Sequence, residues 1–494
     1  MLYIFDLRVS GNSLVSAFSN ARWVALAQGS KILAQVAVVF VLARLMSPAE
    51  YGAVAMATIV TSFAMLFRDM GVSSAVIQRP DLTEVTKQAA FRIATFGGIF
   101  IAAFVCIAAP IASAYFRTPV LLPVLLLISV AFPLSGLTSV HQALLERDSL
   151  FRVVARIEVV SNISGVIAAI TTALLGGGVF SLAALVVVTA TLNSIQFFGA
   201  VTWRPKRAIS VALLEYRQVL SFSANVIGFN FVNYFARNSD SLIIGRLYSP
   251  AVLGAYSLAY RIMLFPLQSL TFVATRALFP VLTLRYREGQ SLAEPYLDVV
   301  RAIALVVAPL MAGLFMLRES IVPLVFGAGW GLVITLLAWF APTGFLQSVM
   351  SVSGVVFMAV NQPRLLFRLG IFGAILQVAA FALGAPDGVE RMAQYYLLAN
   401  IVNFVPVIYL CTKAVGASIG QVVKIMLAAS FCAAVMMLSV HFAPGVDKFM
   451  PSTPWIEVAV KIAVGFISYA AAAYVFVPAV RVVAKARVMR MARR

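Results

Sequence analysis

Apolar stretches of about twenty residues recur along the whole chain, and short polar connections separate them. A helix of about twenty apolar residues crosses the roughly 30 Å hydrocarbon core of a bilayer. The stretches fall between Trp23 and Val477. The pattern therefore predicts an all-α integral membrane protein with about fourteen transmembrane helices, here called spans. The predicted spans cover residues 20–45, 50–67, 88–116, 119–142, 152–175, 179–201, 217–245, 250–273, 295–317, 331–359, 366–384, 394–412, 420–441 and 456–478.

Composition supports this interpretation. Of the 494 residues, 62% are hydrophobic and 11% are charged, whereas a soluble domain has about 25% charged residues. The chain could not cover itself with a water-compatible surface. Cys106, Cys411 and Cys432 lie in apolar stretches, so we interpret them as small packing residues rather than as a disulfide framework or a metal site.

The placement of basic residues predicts the orientation of the spans. With both termini in the cytoplasm, 27 of the 37 Lys and Arg residues fall on the cytoplasmic side, 7 fall on the opposite side and 3 lie inside spans. This asymmetry follows the positive-inside rule. The net charge of +19 is therefore explained by membrane topology, and the basic residues form no patch that predicts a nucleic-acid partner. We expect a multi-pass inner-membrane protein with both termini in the cytoplasm.

A twelve-residue motif occurs twice. LARLMSPAEYGA at 42–53 aligns with IGRLYSPAVLGA at 244–255, an offset of 202 residues. Six predicted spans separate equivalent points, and an even number preserves orientation, so the motif predicts parallel repeats about an axis along the membrane normal. The alternative is a helix-start turn that recurs by chance, because Ser47, Pro48 and Glu50 are suited to an N-cap, a first helical residue and a capping box.

The repeat divides the predicted chain into four parts. Residues 1–210 form an N-terminal lobe of six spans and residues 211–415 form a second lobe of six spans around a central cavity. Residues 416–480 add two further spans, and residues 481–494 form a basic cytoplasmic tail.

Two spans carry polar stripes at helical spacing. Ionisable groups within a span cost roughly 2.5–3.5 kcal/mol each, so they mark candidate sites. In span seven the stripe has residues spaced by 3, 4 and 3, which places them on one face: Asn230, Asn233, Arg237 and Asp240. In span one the stripe has three residues, which align with Asn230, Asn233 and Arg237 under the same offset: Gln28, Lys31 and Gln35. We predict that the two stripes line the cavity between the lobes.

Other interpretations of these residues stay open. The stripes could instead hold helices together by buried hydrogen bonds, with Arg237 and Asp240 neutralising each other. Arg261, in span eight, could line the cavity or could extend its guanidinium to the membrane interface. Asp240 could position Arg237 or exchange a coupling ion. The sequence carries no Gly-rich nucleotide loop and no His/Cys spacing of a metal site. The longest polar connections, 68–88 and 274–294, are predicted to be cytoplasmic and to contain short surface helices.

Several segments carry a family resemblance, most specifically NYFARNSDSLIIGR at 233–246, with FRDMGVSSAVIQRPDLTE from residue 67, HQALLERDSLFR at 141–152 and LVFGAGW at 324–330. With the repeated motif, they resemble Wzx-type flippases in the polysaccharide-transporter branch of the multidrug/oligosaccharidyl-lipid/polysaccharide exporter superfamily. The resemblance covers residues 20 to about 330 well. Ser241 departs from the family pattern, which has an Asn there.

The resemblance implies a transporter that is not an enzyme and that has no cofactor beyond a possible coupling ion, H⁺ or Na⁺. It would move oligosaccharide repeat units on undecaprenyl diphosphate from the cytoplasmic to the periplasmic leaflet, by alternating access, for exopolysaccharide or lipopolysaccharide export. Its partners would be the lipid-linked oligosaccharide, membrane lipids and, as candidates, a polysaccharide polymerase and export proteins. Lys31, Arg237 and Arg261 would supply the cations that the diphosphate needs, and the arginine guanidinium pairs with phosphate bidentately.

Two other functions are weighed against the flippase. An ion-coupled drug antiporter of the same superfamily is expected to have an acidic lumen, which Lys31 and Arg237 contradict. A membrane glycan polymerase or ligase is expected to carry a large periplasmic loop, but the longest predicted periplasmic connection is only 442–455.

Overall fold

The computed structural model describes residues 37–65, 81–206, 238–267, 272–442 and 454–478, with a few single positions between these ranges. Every regular element in these ranges is a helix, which confirms the all-α prediction. Ten helical segments within the described residues are long and apolar enough to cross a membrane. Spans one and seven lie largely outside the described residues, so the total of fourteen stays a prediction.

The chain forms two compact units, Met1–Gly254 and Ala255–Arg494. The first unit contains six complete helices: α1 (Pro48–Met65), α2 (Glu84–Tyr115), α3 (Leu121–Ser129), α4 (Ala131–Arg147), α5 (Phe151–Leu174) and α6 (Phe180–Ala200). The helix α7 (Pro250–Pro266) begins at the end of this unit.

Local chemistry explains where the first helices begin. At the start of α1, the Ser47 hydroxyl accepts from the Glu50 backbone N–H at 3.3 Å, and the Glu50 carboxylate accepts from the Ser47 backbone N–H at 2.8 Å. This reciprocal pair is the capping box predicted from the sequence. At the start of α2, the Thr83 hydroxyl accepts from the Thr86 backbone N–H at 3.1 Å, so a side chain again satisfies a helix-end donor.

The predicted span at 119–142 is one membrane-crossing segment, Leu121–Arg147, interrupted between α3 and α4. Pro133 explains the interruption because it lacks an N–H and its ring clashes with the carbonyl four residues earlier, at Ser129. The Val130 N–H turns instead to the Leu127 oxygen at 3.3 Å, a tighter three-residue bond. The segment also continues five residues beyond the predicted end.

The helices α5 and α6 form an antiparallel hairpin whose turn contains Gly176 and Gly178, with φ of +80° and +46°. Residues with a Cβ rarely adopt these angles, so glycine suits the turn. Away from the turn, at Gly165 of α5, the two helices lie close together. A Cβ at Gly165 would stand 2.9 Å from the Leu185 oxygen of α6.

The second unit continues from α7 with eight helices: α8 (Phe272–Arg287), α9 (Ala293–Phe326), α10 (Gly331–Met350), α11 (Val352–Ala359), α12 (Pro363–Gly384), α13 (Val389–Val415), α14 (Ile419–Phe442) and α15 (Pro454–Phe476). The helix α8 overlaps the connection at 274–294 in which a short helix was predicted, and begins two residues before it. The predicted span at 295–317 is longer in the structure, because α9 continues to Phe326 and ends at Gly327, whose φ is +102°.

Small side chains pack α14 and α15 against α9. Ala304 of α9, Cys432 of α14 and Ala473 of α15 belong to one buried cluster, and the Tyr469 hydroxyl of α15 donates to the Leu305 oxygen at 2.8 Å. Small residues let membrane helices approach closely, and interhelical hydrogen bonds add to their association. The two C-terminal helices are therefore packed parts of the second unit. Cys411 is buried as well, as expected of a packing residue.

Candidate functional site

The two copies of the repeated motif have matching backbone hydrogen bonds. In the first copy the Tyr51 N–H donates to the Ser47 oxygen at 3.0 Å, and in the second copy the Leu253 N–H donates to the Ser249 oxygen at 3.2 Å. The two copies therefore begin their helices, α1 and α7, with the same local geometry.

The copies also touch each other through their glycines, and all the residues involved belong to the first unit. A Cβ built on Gly52 would stand 1.7 Å from the Pro250 oxygen, and one built on Gly254 would stand 2.0 Å from the Pro48 oxygen. The contact is reciprocal, since each glycine lies against the backbone of the other copy. Any side chain at either position would force the helix ends apart.

Two further contacts hold the motif copies in place. The Glu50 carboxylate that caps α1 also lies beside Gly178, where an added Cβ would stand 2.2 Å from Glu50 Oε1. In the second copy, Arg246 donates to the Tyr115 oxygen at 3.1 Å, and its guanidinium lies 5.5 Å from the centre of the Tyr115 ring. This places a cation at the carbonyl end of α2, where the helix dipole favours it.

Most of the predicted binding residues lie outside the described part of the chain, and their roles stay predictions: Gln28, Lys31, Gln35, Asn230, Asn233 and Arg237. Asp240 is described and is 3% exposed, and its carboxylate accepts from the Ser241 backbone N–H at 2.6 Å. Arg261 is half-buried in α7, within the second unit. The structure thus describes two of the eight predicted site residues.

Tyr234 lies on the predicted span seven and was not singled out from the sequence. Its hydroxyl donates to the Ile59 oxygen of α1, and its ring centre lies 5.4 Å from that of Phe63. The side chain is buried. Tyr234 differs from the amides and charges of the polar stripe, because its amphipathic ring packs on α1 while its hydroxyl bonds the α1 backbone.

A cavity of about 400 Å³ lies between α2 and α4 in the first unit. Apart from Ser73, its polar lining residues follow one face of α4: Ser135, Ser139, Gln142 and Glu146. Their spacing of 4, 3 and 4 was visible in the sequence as a helical stripe. Sequence reasoning overlooked it because half of the stripe lies in a strongly apolar run and Glu146 lies beyond the predicted end of that span.

The second unit contains a network of buried and half-buried polar side chains. The Gln347 side-chain amide of α10 donates to the Tyr396 hydroxyl at 2.6 Å and to the Asn400 side-chain oxygen at 3.0 Å, both on α13. The Tyr260 hydroxyl of α7 lies 3.4 Å from that of Tyr396. Paired buried groups of this kind bond helices within apolar surroundings.

Sequence comparisons match this chain to proteins of polysaccharide production. The family model described as "Polysaccharide biosynthesis protein" matches residues 41–335. The chain is 24% identical to lipopolysaccharide biosynthesis protein WzxC of Escherichia coli K12, over 80% of this chain and 81% of that protein. It is 26% identical to succinoglycan biosynthesis transport protein ExoT of Rhizobium meliloti 1021, over 78% of each chain.

Solved structures share the fold. The inward closed conformation of the lipid II flippase MurJ matches with a TM-score of 0.74 and 13% identity, covering 92% of this chain and 98% of that one. An inward-facing multidrug resistance MATE family transporter matches with a TM-score of 0.60 and 16% identity, covering 78% of this chain and 96% of that one. These relatives are transport and flippase proteins, not enzymes.

Proposed function

Because the chain belongs to the polysaccharide biosynthesis protein family, whose model matches more than half of it, we propose that it is a flippase for lipid-linked oligosaccharides. It moves repeat units on undecaprenyl diphosphate from the cytoplasmic to the periplasmic leaflet of the inner membrane, for exopolysaccharide or lipopolysaccharide export. Both termini lie in the cytoplasm, and a polymerase and export proteins act on the delivered repeat units.

The observation that carries this proposal is the fold shared with a lipid II flippase over 92% of the chain. The multidrug transporter match covers 78%, and the difference corresponds to roughly two helices with their connections. The helices α14 and α15, which pack on α9, form such a pair. Chain length and fold together therefore favour the flippase over the drug antiporter.

The proposed mechanism is alternating access between two six-span repeats. The matching hydrogen bonds of the two motif copies and their reciprocal glycine contact support a pseudo-symmetric arrangement. Lys31, Arg237 and Arg261 bind the diphosphate, and the amides of spans one and seven bind around it. Asp240 holds Arg237 or exchanges H⁺ or Na⁺. One elementary charge crossing 100 mV supplies about 2.3 kcal/mol, a usable drive for such a cycle.

Deletion of the gene tests the proposal in the bacterium that carries it. Loss of the flippase should abolish the exported polysaccharide and leave lipid-linked repeat units inside spheroplasts, inaccessible to an added periodate-type probe. A plasmid copy should restore export. Normal polysaccharide in the deletion strain would overturn the proposal. Increased sensitivity to cationic drugs without a polysaccharide defect would favour the antiporter, and glycosyl transfer by the purified protein would favour the polymerase.

A further inference from the structure

The cavity between α2 and α4 is built at a close crossing of the two helices. A Cβ on Gly98 of α2 would stand 2.6 Å from the Phe132 oxygen, and one on Gly136 of α4 would stand 2.3 Å from the Ala94 oxygen. The two backbones therefore touch, and both glycines line the cavity. Backbone contact fixes the position of the helices, so the side chains beside the crossing are held on a rigid frame.

The polar wall of the cavity is held in one arrangement. The Gln142 side-chain amide donates to Glu146 Oε1 at 2.8 Å, and the Ser139 hydroxyl donates to the Gly136 oxygen at 3.2 Å. Gln142 and Glu146 are both half-buried. Acceptor oxygens that are positioned before binding lower the entropic cost of capturing a ligand.

Charge excludes a phosphate as the occupant. Glu146 is the one charged side chain among the described residues that line the cavity. The neighbouring cation, Arg147, instead donates to the backbone oxygens of Val76 at 2.8 Å and Arg79 at 2.6 Å. The diphosphate therefore requires a different site, such as the predicted cations of spans one, seven and eight.

Size and polarity exclude two other occupants. The acceptor oxygens lie mostly along the α4 wall of a cavity of about 400 Å³, so they could not enclose a bare coupling ion. A lipid chain would offer no hydrogen bond to the acceptor lone pairs of the carboxylate and amide that their mutual bond leaves over, which is costly. A neutral polyol fits, because its hydroxyls donate to carboxylate and amide oxygens and both donate to and accept from serine hydroxyls.

We infer that this cavity is a glycan-binding subsite, in which Gln142 and Glu146 accept hydrogen bonds from sugar hydroxyls of the oligosaccharide being moved. The inference rests on the proposed function and adds a second site to it. The cavity binds the sugar, whereas the predicted cations Lys31, Arg237 and Arg261 bind the diphosphate. A volume of 300–1,000 Å³ with a few placed polar groups is typical of small-molecule sites.

Equilibrium binding in lipid nanodiscs separates the two sites. The full-length protein is titrated with undecaprenyl diphosphate that carries no sugar, and with the lipid-linked repeat unit isolated from the bacterium that carries the gene. Glu146→Gln keeps the shape of the side chain and removes its charge, and Gln142→Leu removes the amide. Glu158→Gln and Gln196→Leu are matched controls, because both lie in the same unit outside the cavity.

Both cavity variants should bind the repeat unit about tenfold more weakly, which corresponds to about 1.4 kcal/mol, and bind the sugar-free carrier with unchanged affinity. The control variants should bind both lipids as the wild type does. Equal affinities of variant and wild type for the repeat unit, or equal losses for both lipids, would overturn the subsite. If the wild type binds neither lipid, the proposed function itself fails. Ser139→Ala provides a milder variant should Gln142→Leu not fold.

Discussion

Gly52 and Gly254, which occupy the same position in two motif copies 202 residues apart, lie against each other's helix ends. A Cβ on Gly254 would stand 2.8 Å from the Gly52 nitrogen, and a Cβ on Gly52 would stand 3.1 Å from the Gly254 nitrogen. Only hydrogen at both positions allows this approach. The glycine that recurs in the motif thus serves a contact between the copies.

Gly52→Ala should destabilise the protein and reduce polysaccharide export. Its Cβ would overlap the Pro250 oxygen, and relief requires backbone movement that costs about 1–3 kcal/mol or more. Thermal unfolding of the purified protein measures the effect. Gly313→Ala is the control, since a Cβ there meets nothing within 4 Å and alanine favours a helix. Equal unfolding midpoints for the two variants would contradict the prediction.

Ser47→Ala should lower the free energy of unfolding by about 1 kcal/mol, because it removes the hydroxyl that caps α1. Ser47→Asn should retain most of the stability, because its side-chain oxygen can accept the Glu50 N–H and carries no charge to repel the Glu50 carboxylate. Thermal unfolding again gives the measurement. An Ala variant as stable as the Asn variant would show that the observed cap contributes nothing.

Arg147→Ala should release the segment around residue 77. Arg147 bonds the Val76 and Arg79 oxygens, and charge-assisted bonds of this kind contribute about 1.5–3 kcal/mol each when they are shielded from water. An Ile77→Cys reporter, in a background with the three native cysteines replaced by alanine, should react faster with a maleimide in the Arg147→Ala protein. Arg152→Ala, at a nearby exposed position, serves as the control. Unchanged labelling rates would refute the role of Arg147.

Tyr234→Phe should destabilise the protein by about 1 kcal/mol, because it removes the hydroxyl that donates to Ile59 while retaining the ring. Tyr409→Phe, at a position 53% exposed, should have no effect. Unfolding of both purified variants is compared with that of the wild type. A similar loss in both would mean that the Ile59 bond is not the cause.

Arg237→Ala should abolish polysaccharide export while the protein stays in the membrane, because the predicted diphosphate site loses its bidentate cation. Arg237→Lys should retain part of the activity. Export is measured by complementation of the deletion strain, and membrane fractions are probed for the protein. Arg318→Ala, at a half-buried cation that bonds its own helix, is the control. Normal export by a well-expressed Arg237→Ala protein would remove Arg237 from the site.

The sequence by itself determined the features that depend on neighbouring residues. Long apolar runs predicted the membrane helices, because a helix in lipid must satisfy its own backbone and present apolar side chains. The capping box of Ser47 and Glu50 was also predictable, because its bonds join residues only three positions apart in the sequence. Asp240 was selected as a polar residue within a span, and the structure places it among the buried polar groups.

Only the tertiary structure decided which segments meet. The motif showed that Gly52 and Gly254 are equivalent, but equivalence does not imply contact, and their approach depends on the packing of helices far apart in sequence. The stripe on α4 was present in the sequence, yet a cavity exists there because Gly98 and Gly136 bring α2 and α4 together beside it. Side-chain periodicity fixes the face of one helix, whereas a binding site requires the second helix that encloses it.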